Sequence, residues 1–160
     1  MQIHTQQEAM YIACQMETSA IQLYARALQL LQEQGRENER LFYQVSFMHS
    51  DEQEHLRQFR SLYQGMEMSM EQELTLAAVA EGVLFEGGLM GAVRRGLLSD
   101  VHSMLAYALE AEKLSAKKYR EFAAMADDEA ARSTLLLIAA EEDKHQKDLE
   151  IQAELNETQL

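Results

Sequence analysis

The sequence predicts an all-α fold: two antiparallel helical hairpins joined by a long crossover that contains a short helix of its own. Three observations carry that expectation. The 160-residue chain has no proline and only seven glycines, so there are few points where a regular element must stop. Apolar residues recur at helical spacing through four long segments. Five of the seven glycines, Gly82, Gly87, Gly88, Gly91 and Gly96, fall between the second and third of those segments. A β-sandwich, needing a turn every 8–12 residues or so, is excluded by the same scarcity of breakers.

The first segment, about 6–34, carries Ile12, Met16, Ala20, Ile21, Leu23, Leu28 and Leu31 and stops at Gln34-Gly35, a glycine C-cap signal. The second, about 37–64, carries Leu41, Val45, Met48, Phe59 and Leu62 and ends at Gly65. The third, about 99–126, opens on Ser99-Asp100, a pair suited to capping a helix N-terminus. The fourth, about 129–157, follows Asp127-Asp128 and continues through Leu135, Ile138 and Leu149. Short loops at 35–36 and 127–128 make the flanking helices antiparallel neighbours. Residues 66–98, with an apolar piece at 74–80, read as a crossover long enough to traverse the helices before the third begins. The length suits one domain, 1–160.

Net charge is −13, and the acid is spread through both halves rather than gathered in a tail. A nucleic-acid binder needs a basic face, so that class of partner is excluded. Evenly spread acid is either a solvated surface or a surface plus a few carboxylates held inside for a cation. The single cysteine, Cys14, rules out a disulfide framework and a cysteine-based zinc or iron–sulfur site made by one chain. Its neighbours Ile12, Ala13 and Met16 predict a buried thiol. The N-terminal MQIHTQQEAM has no basic stretch followed by an apolar one, and no segment is apolar for long enough to span a bilayer. A cytoplasmic protein without a membrane partner is expected.

The chemistry-bearing residues form a repeat. Helix two contains Asp51-Glu52-Gln53-Glu54-His55 and helix four Glu141-Glu142-Asp143-Lys144-His145, giving Glu-x-x-His twice. Residues three apart project from one helix face, so a carboxylate and an imidazole can meet one metal ion. In so acidic a chain a single such pair is an ordinary surface feature. Helices one and three supply the rest: Glu17 is followed by Tyr24 and Glu112 by Tyr119, each seven residues on and on nearly the same face. The Glu17 stripe also contains Met10, Ala13, Ala20 and Leu31, and a carboxylate buried there needs a partner or a cation. Depths agree as well. Glu17 and Glu52 lie about 17 and 15 residues from the first loop, Glu112 and Glu142 about 14 and 13 from the second, which at about 1.5 Å per residue brings each pair to one level.

Four glutamates and two histidines facing inward match the pattern of dimetal carboxylate bundles, one Glu from each of two helices and Glu-x-x-His from the other two. Carboxylates can bridge two ions, imidazole completes the sphere without adding charge, and four negative charges balance two divalent cations. The phrases CQMETSAIQLYARAL and ALEAEKLSAKKYREFA…LIAAEEDKH resemble the rubrerythrin-like branch of the ferritin-like superfamily, over about residues 6–152. That resemblance implies a ferritin-like four-helix bundle holding two iron ions, manganese or a mixed pair being the alternatives. It implies Glu17 and Glu112 as terminal ligands, Glu52 and Glu142 as bridges, His55 and His145 as one cap each, and Tyr24 and Tyr119 hydrogen-bonded to carboxylates. It further implies an oxidoreductase that reduces peroxide or dioxygen by oxidising an Fe(II) pair, in a homodimer or larger homo-oligomer.

Two departures shape the expectation. One cysteine cannot make the four-cysteine rubredoxin domain of full-length rubrerythrins, so electrons must come from a separate donor. Leu114 and Ser115 stand near where rubrerythrins carry an extra glutamate, which leaves a symmetric set of four glutamates and two histidines. Helix four is expected to take up the C-terminal residues, which argues against the short fifth helix and the shell of storage ferritins. The alternatives to turnover are a ferroxidase serving iron storage or delivery, and a non-enzymatic bundle with a structural metal or none. His49, His4 and His102 are set aside for want of a carboxylate partner at ligand spacing, or as surface or outer residues. Glu110 and Glu141 point about 200° and 100° from the ligand face, toward solvent. Met66, Met68 and Met70 read as packing or an oligomer contact, and the Arg94-Arg95 pair as too small a basic patch to bind anything. Residues 51–55 lack the two histidines of a zinc-protease helix.

Overall fold

The computed structural model describes residues 1–158, with side chains described through 155. Six helices and, among the described residues, no strand make up the chain: α1 (Gln6–Glu33), α2 (Arg40–Leu62), α3 (Met68–Ala80), α4 (Gly88–Arg94), α5 (Val101–Met125) and α6 (Glu129–Thr158). None is long and apolar enough to cross a membrane.

Local chemistry sets where each long helix begins and ends. Thr5 and Glu8 form a capping box at the start of α1, with the Glu8 amide 3.1 Å from the Thr5 hydroxyl. At its other end Gly35 takes φ +69°, which lets the Arg36 amide turn back to the Leu31 carbonyl at 2.8 Å and satisfy a terminal acceptor. The second helix starts at Arg40 rather than at 37. Arg36 pairs with the Glu39 carboxylate at 2.9 Å while the Glu39 amide donates to the Arg36 carbonyl, so those residues are held in a turn. Asp100 caps α5 as expected, in a capping box with Ser103. Asp128 accepts from the Ala130 amide at the start of α6.

The crossover holds two helices where the sequence suggested one. Gly82 and Gly87 at positive φ break it between α3 and α4. Within α4, a Cβ on Gly91 would lie 2.7 Å from the Glu86 carbonyl oxygen, so only glycine fits. Both short helices pack on α1, through Ala78 and through Leu89 and Ala92.

The four long helices close a ring of contacts: α1 against α2 and α5, α6 against α5 and α2. Inside it are two separate apolar clusters. One, with Met10, Ile12, Phe59, Tyr119, Leu135 and Ile138, joins the first half of α1 to the second half of α2. The other, with Leu23, Leu31, Val45, Met48, Met104 and Leu149, lies at the opposite end. Full burial of each large side chain contributes on the order of 1.5–3 kcal/mol. Between the clusters, at mid-depth, the apolar packing is interrupted by charge.

Candidate metal centre

That interruption consists of Glu17, Glu52, His55, Glu112, Glu142 and His145, each no more than 3% exposed. These are the six residues the repeat singles out, and the helices bring all of them together. α1 and α5 each give one glutamate; α2 and α6 each give a glutamate and, one turn on, a histidine. The two imidazoles stack across the centre with ring centroids 6.0 Å apart. Cys14, three residues before Glu17, is buried as expected, and burial pushes its thiol up to about 11.

The donors sort into two overlapping quartets. One atom each from Glu17, Glu52, His55 and Glu142 lies within 4.8 Å of the others, and the same holds for Glu52, Glu112, Glu142 and His145. An ion at about 2.0–2.6 Å from each donor holds donors up to roughly 4–5 Å apart, so each quartet is the size of one coordination sphere. Glu52 and Glu142 belong to both quartets, Glu17 and Glu112 to one each.

The way the donors face one another identifies what they suit. His55 Nδ1 sits 2.8 Å from a Glu142 oxygen and His145 Nδ1 2.8 Å from a Glu52 oxygen. Yet neither nitrogen, nor Glu17 Oε2, Glu52 Oε1, Glu112 Oε2 or Glu142 Oε1, has a hydrogen-bond partner of acceptable alignment. Such buried orphans are rare in folded proteins. No lysine or arginine ion-pairs with any of the four glutamates among the described residues; the histidines are their only basic neighbours. Four ionised carboxylates with neutral imidazoles carry −4 in a dry interior, which is untenable without compensation. Two divalent cations supply +4. The donor set fits a dimetal pair.

Without cations, protons do that work. Burial, then the charges of neighbouring glutamates, hold Glu52 and Glu142 well above the ordinary carboxylate range. Burial pushes Glu112 upward too, but hydrogen bonding from Glu142, His145 and Tyr24 outweighs it and leaves that carboxyl low. For His145, burial opposes the charged form, but Glu112 and Asp51 overcome it and lift the imidazole to about 9. His55 is raised in the same way by Glu17 and Glu141.

An outer layer orients the donors. Tyr119 on α5 donates to Glu17 on α1 at 2.8 Å, and Tyr24 on α1 donates to Glu112 on α5. Each phenol therefore ties the other hairpin's glutamate, and burial followed by the adjacent carboxylate keeps both phenols protonated. The histidines are held from outside. His145 Nε2 lies 2.9 Å from Asp51, and His55 Nε2 is bonded to Glu141. A carboxylate at Nε2 fixes the proton there and leaves the Nδ1 lone pair facing the centre.

Asp51 and Glu141 are the residues the sequence reasoning missed. Glu141 is half-exposed, as its angle on α6 implies, but it is not simply solvated: its carboxylate reaches across to α2. A signal was present, an acid directly before each Glu-x-x-His. His49 is half-buried and joins neither quartet. Met68 and Met70 are exposed, so packing does not account for them.

Comparison with protein-family models, curated proteins and solved structures finds no match to this chain.

Proposed function

We propose that the chain is a di-iron carboxylate protein of the ferritin-like, rubrerythrin-like kind, a four-helix bundle that reduces peroxide or dioxygen with electrons from an Fe(II) pair. One observation carries the reading: six buried donors, their lone pairs unpartnered, converge as two quartets that share two glutamates. Glu52 and Glu142, common to both quartets, would hold both ions, Glu17 and Glu112 one each, and His55 and His145 would complete one donor set each.

When bound, a pair of ferrous ions supplies two electrons, which with two protons take hydrogen peroxide to two waters, and a separate donor then restores the pair. The chain's own residues prepare that chemistry. Tyr24 and Tyr119 pin one oxygen of Glu112 and Glu17 and leave the other free to face the centre. Asp51 and Glu141 hold the imidazole protons on Nε2, so that Nδ1 presents a lone pair. Glu52 and Glu142, each within reach of both histidines, can shift between one oxygen and two as the charge at the centre changes. The two apolar clusters exclude bulk water from above and below. With one cysteine, these 160 residues do not build a four-cysteine electron carrier, so the electrons reach the centre from outside them.

The test is anaerobic loading with Fe(II) followed by stoichiometric hydrogen peroxide. The reading expects the near-ultraviolet absorption of a ferric pair to appear with one peroxide consumed per two irons, and expects His55→Ala and His145→Ala to abolish it. A loaded protein that ignores peroxide and dioxygen alike contradicts it. Assembly into a large shell that accumulates iron shifts the reading to iron storage.

A further inference from the structure

We infer that a small uncharged oxidant reaches the centre through an apolar pocket between α1 and α5 and meets the metal position of Glu112 and His145 first, so that the two positions of this repeated centre are not equivalent. The inference rests on the proposed function and adds a route and an order.

The pocket has about 30 Å³ of room for the centres of water-sized molecules. One water needs roughly 10–15 Å³ by that measure, so the space suits a molecule of two heavy atoms. Its deep end is formed by buried Tyr24, Glu112 and Glu142, its outer part by half-buried Ser19, Ala20 and Ala111. The crossover adds Val83 and Leu89. Apart from the two glutamates no charged side chain lines it, so an anion or a hydrated cation would shed its water against apolar walls. Dioxygen and hydrogen peroxide carry no such penalty. The carboxylates Asp51 and Glu141 lie on the opposite edge of the ring, on α2 and α6.

Of the six donors only Glu112 and Glu142 line the pocket. Glu142 is shared, whereas Glu112 belongs to the His145 quartet alone. The pocket thus opens on one position and not on its repeat. The packing around the two tyrosines also differs. Tyr119, beside Glu17, is crowded by Phe59 at 5.1 Å and Phe122 at 6.4 Å between ring centroids. At the matching places of the repeat, beside Tyr24, stand Leu149 and Ala27, which carry no ring. On the pocket side the ring pair is Tyr107 with Phe85, 4.7 Å between centroids, and Tyr107 forms part of the pocket wall.

Nitric oxide, uncharged and the size of dioxygen, is the probe. The full chain is loaded anaerobically with Fe(II), iron per chain is counted, and nitrosyl formation is followed by stopped-flow absorption and paramagnetic resonance. The inference predicts a first nitrosyl at one per iron pair. It predicts that Ala111→Phe and Ala20→Leu, on different helices and both half-exposed, keep the iron content of the parent but slow nitrosyl formation at least tenfold. Val83→Ala, which widens the pocket, should speed it. If the occluding variants hold iron and react at the parent rate, or two equal nitrosyls form together, the route and the order are wrong while the dimetal reading stands. If the parent itself binds no iron, both fall.

Discussion

Replacing Glu142 by glutamine should strengthen the metal-free chain and weaken the metal-loaded one. Glu142 is 1% exposed, shared by both quartets, and faced by three other glutamates without a lysine or arginine to pair with. Burial and those charges hold its carboxyl well above the ordinary range, so at pH 8 its ionised form opposes folding. Glutamine has the same shape and no charge. Neutral replacements for buried charge clusters stabilise by about 1–4 kcal/mol. In a chain of this length each kcal/mol moves Tm by about 2–4 °C, so metal-free Glu142→Gln should melt roughly 2–16 °C above the parent. With Fe(II) or Mn(II) the order should reverse. A single ion at a hundred times its Kd adds about 2.7 kcal/mol to the parent, and a variant lacking the shared ligand gains little of it. Differential scanning calorimetry with chelator and with metal measures both states. A metal-free Glu142→Gln that melts several degrees below the parent, in a parent indifferent to metal, would show that Glu142 is a packing residue and refute the argument.

Other expectations follow from the outer layer and from pH. Tyr24→Phe leaves a Glu112 oxygen without its donor, and losing a buried partner costs about 1–3 kcal/mol, which chemical denaturation of the metal-free chain should register. Asp51→Ala and Glu141→Ala release His145 and His55 from their outer carboxylates. Each should weaken Mn(II) binding by about 10–100-fold in calorimetric titration while leaving the helical circular dichroism unchanged. His145 titrates near 9 in the folded metal-free chain, above the ordinary histidine range. A raised value means its charged form favours folding: that contribution is complete below the unfolded histidine pKa, about 6.5, and is lost as pH rises through about 9. The raised carboxyls of Glu52 and Glu142 push in the same direction, since their neutral forms favour folding. Tm of the metal-free chain should therefore fall between pH 6.5 and 9, and metal binding in that window should release protons to the buffer. A flat or rising Tm counts against the assignment.

The long helices and the six inward residues were legible because both are periodic. Apolar spacing locates α1, α2, α5 and α6 to within a few residues, and the repeat of Glu…Tyr and Glu-x-x-His places its donors at one depth in two hairpins. What escaped depends on neighbours rather than on period. Asp51 and Glu141 lie away from the ligand face of their own helices, and angle on one helix says nothing of a carboxylate reaching a histidine on the next. The start of α2 escaped because the turn before it is held by the Arg36–Glu39 pair, in a segment whose composition also suits a helix. The crossover read as one helix because only the apolar piece at 74–80 carried a helical signal, while the short α4, Gly88–Arg94, lies among glycines at 87, 88 and 91 that mark it as a loop. The pocket beside Glu112 could not be read at all, since it forms where side chains of α1, the crossover and α5 meet, Ala20, Val83, Leu89 and Ala111 among them.

The central claim, that these six residues hold two metal ions, is tested most directly by counting. The purified chain is stripped with chelator, loaded anaerobically with excess Fe(II), desalted and submitted to elemental analysis alongside a variant with Glu52 and Glu142 both changed to glutamine. Two ions per parent chain and at most a trace in the variant are expected, because only those two glutamates serve both quartets. A parent that retains no iron, or a variant that retains as much as the parent, contradicts the account.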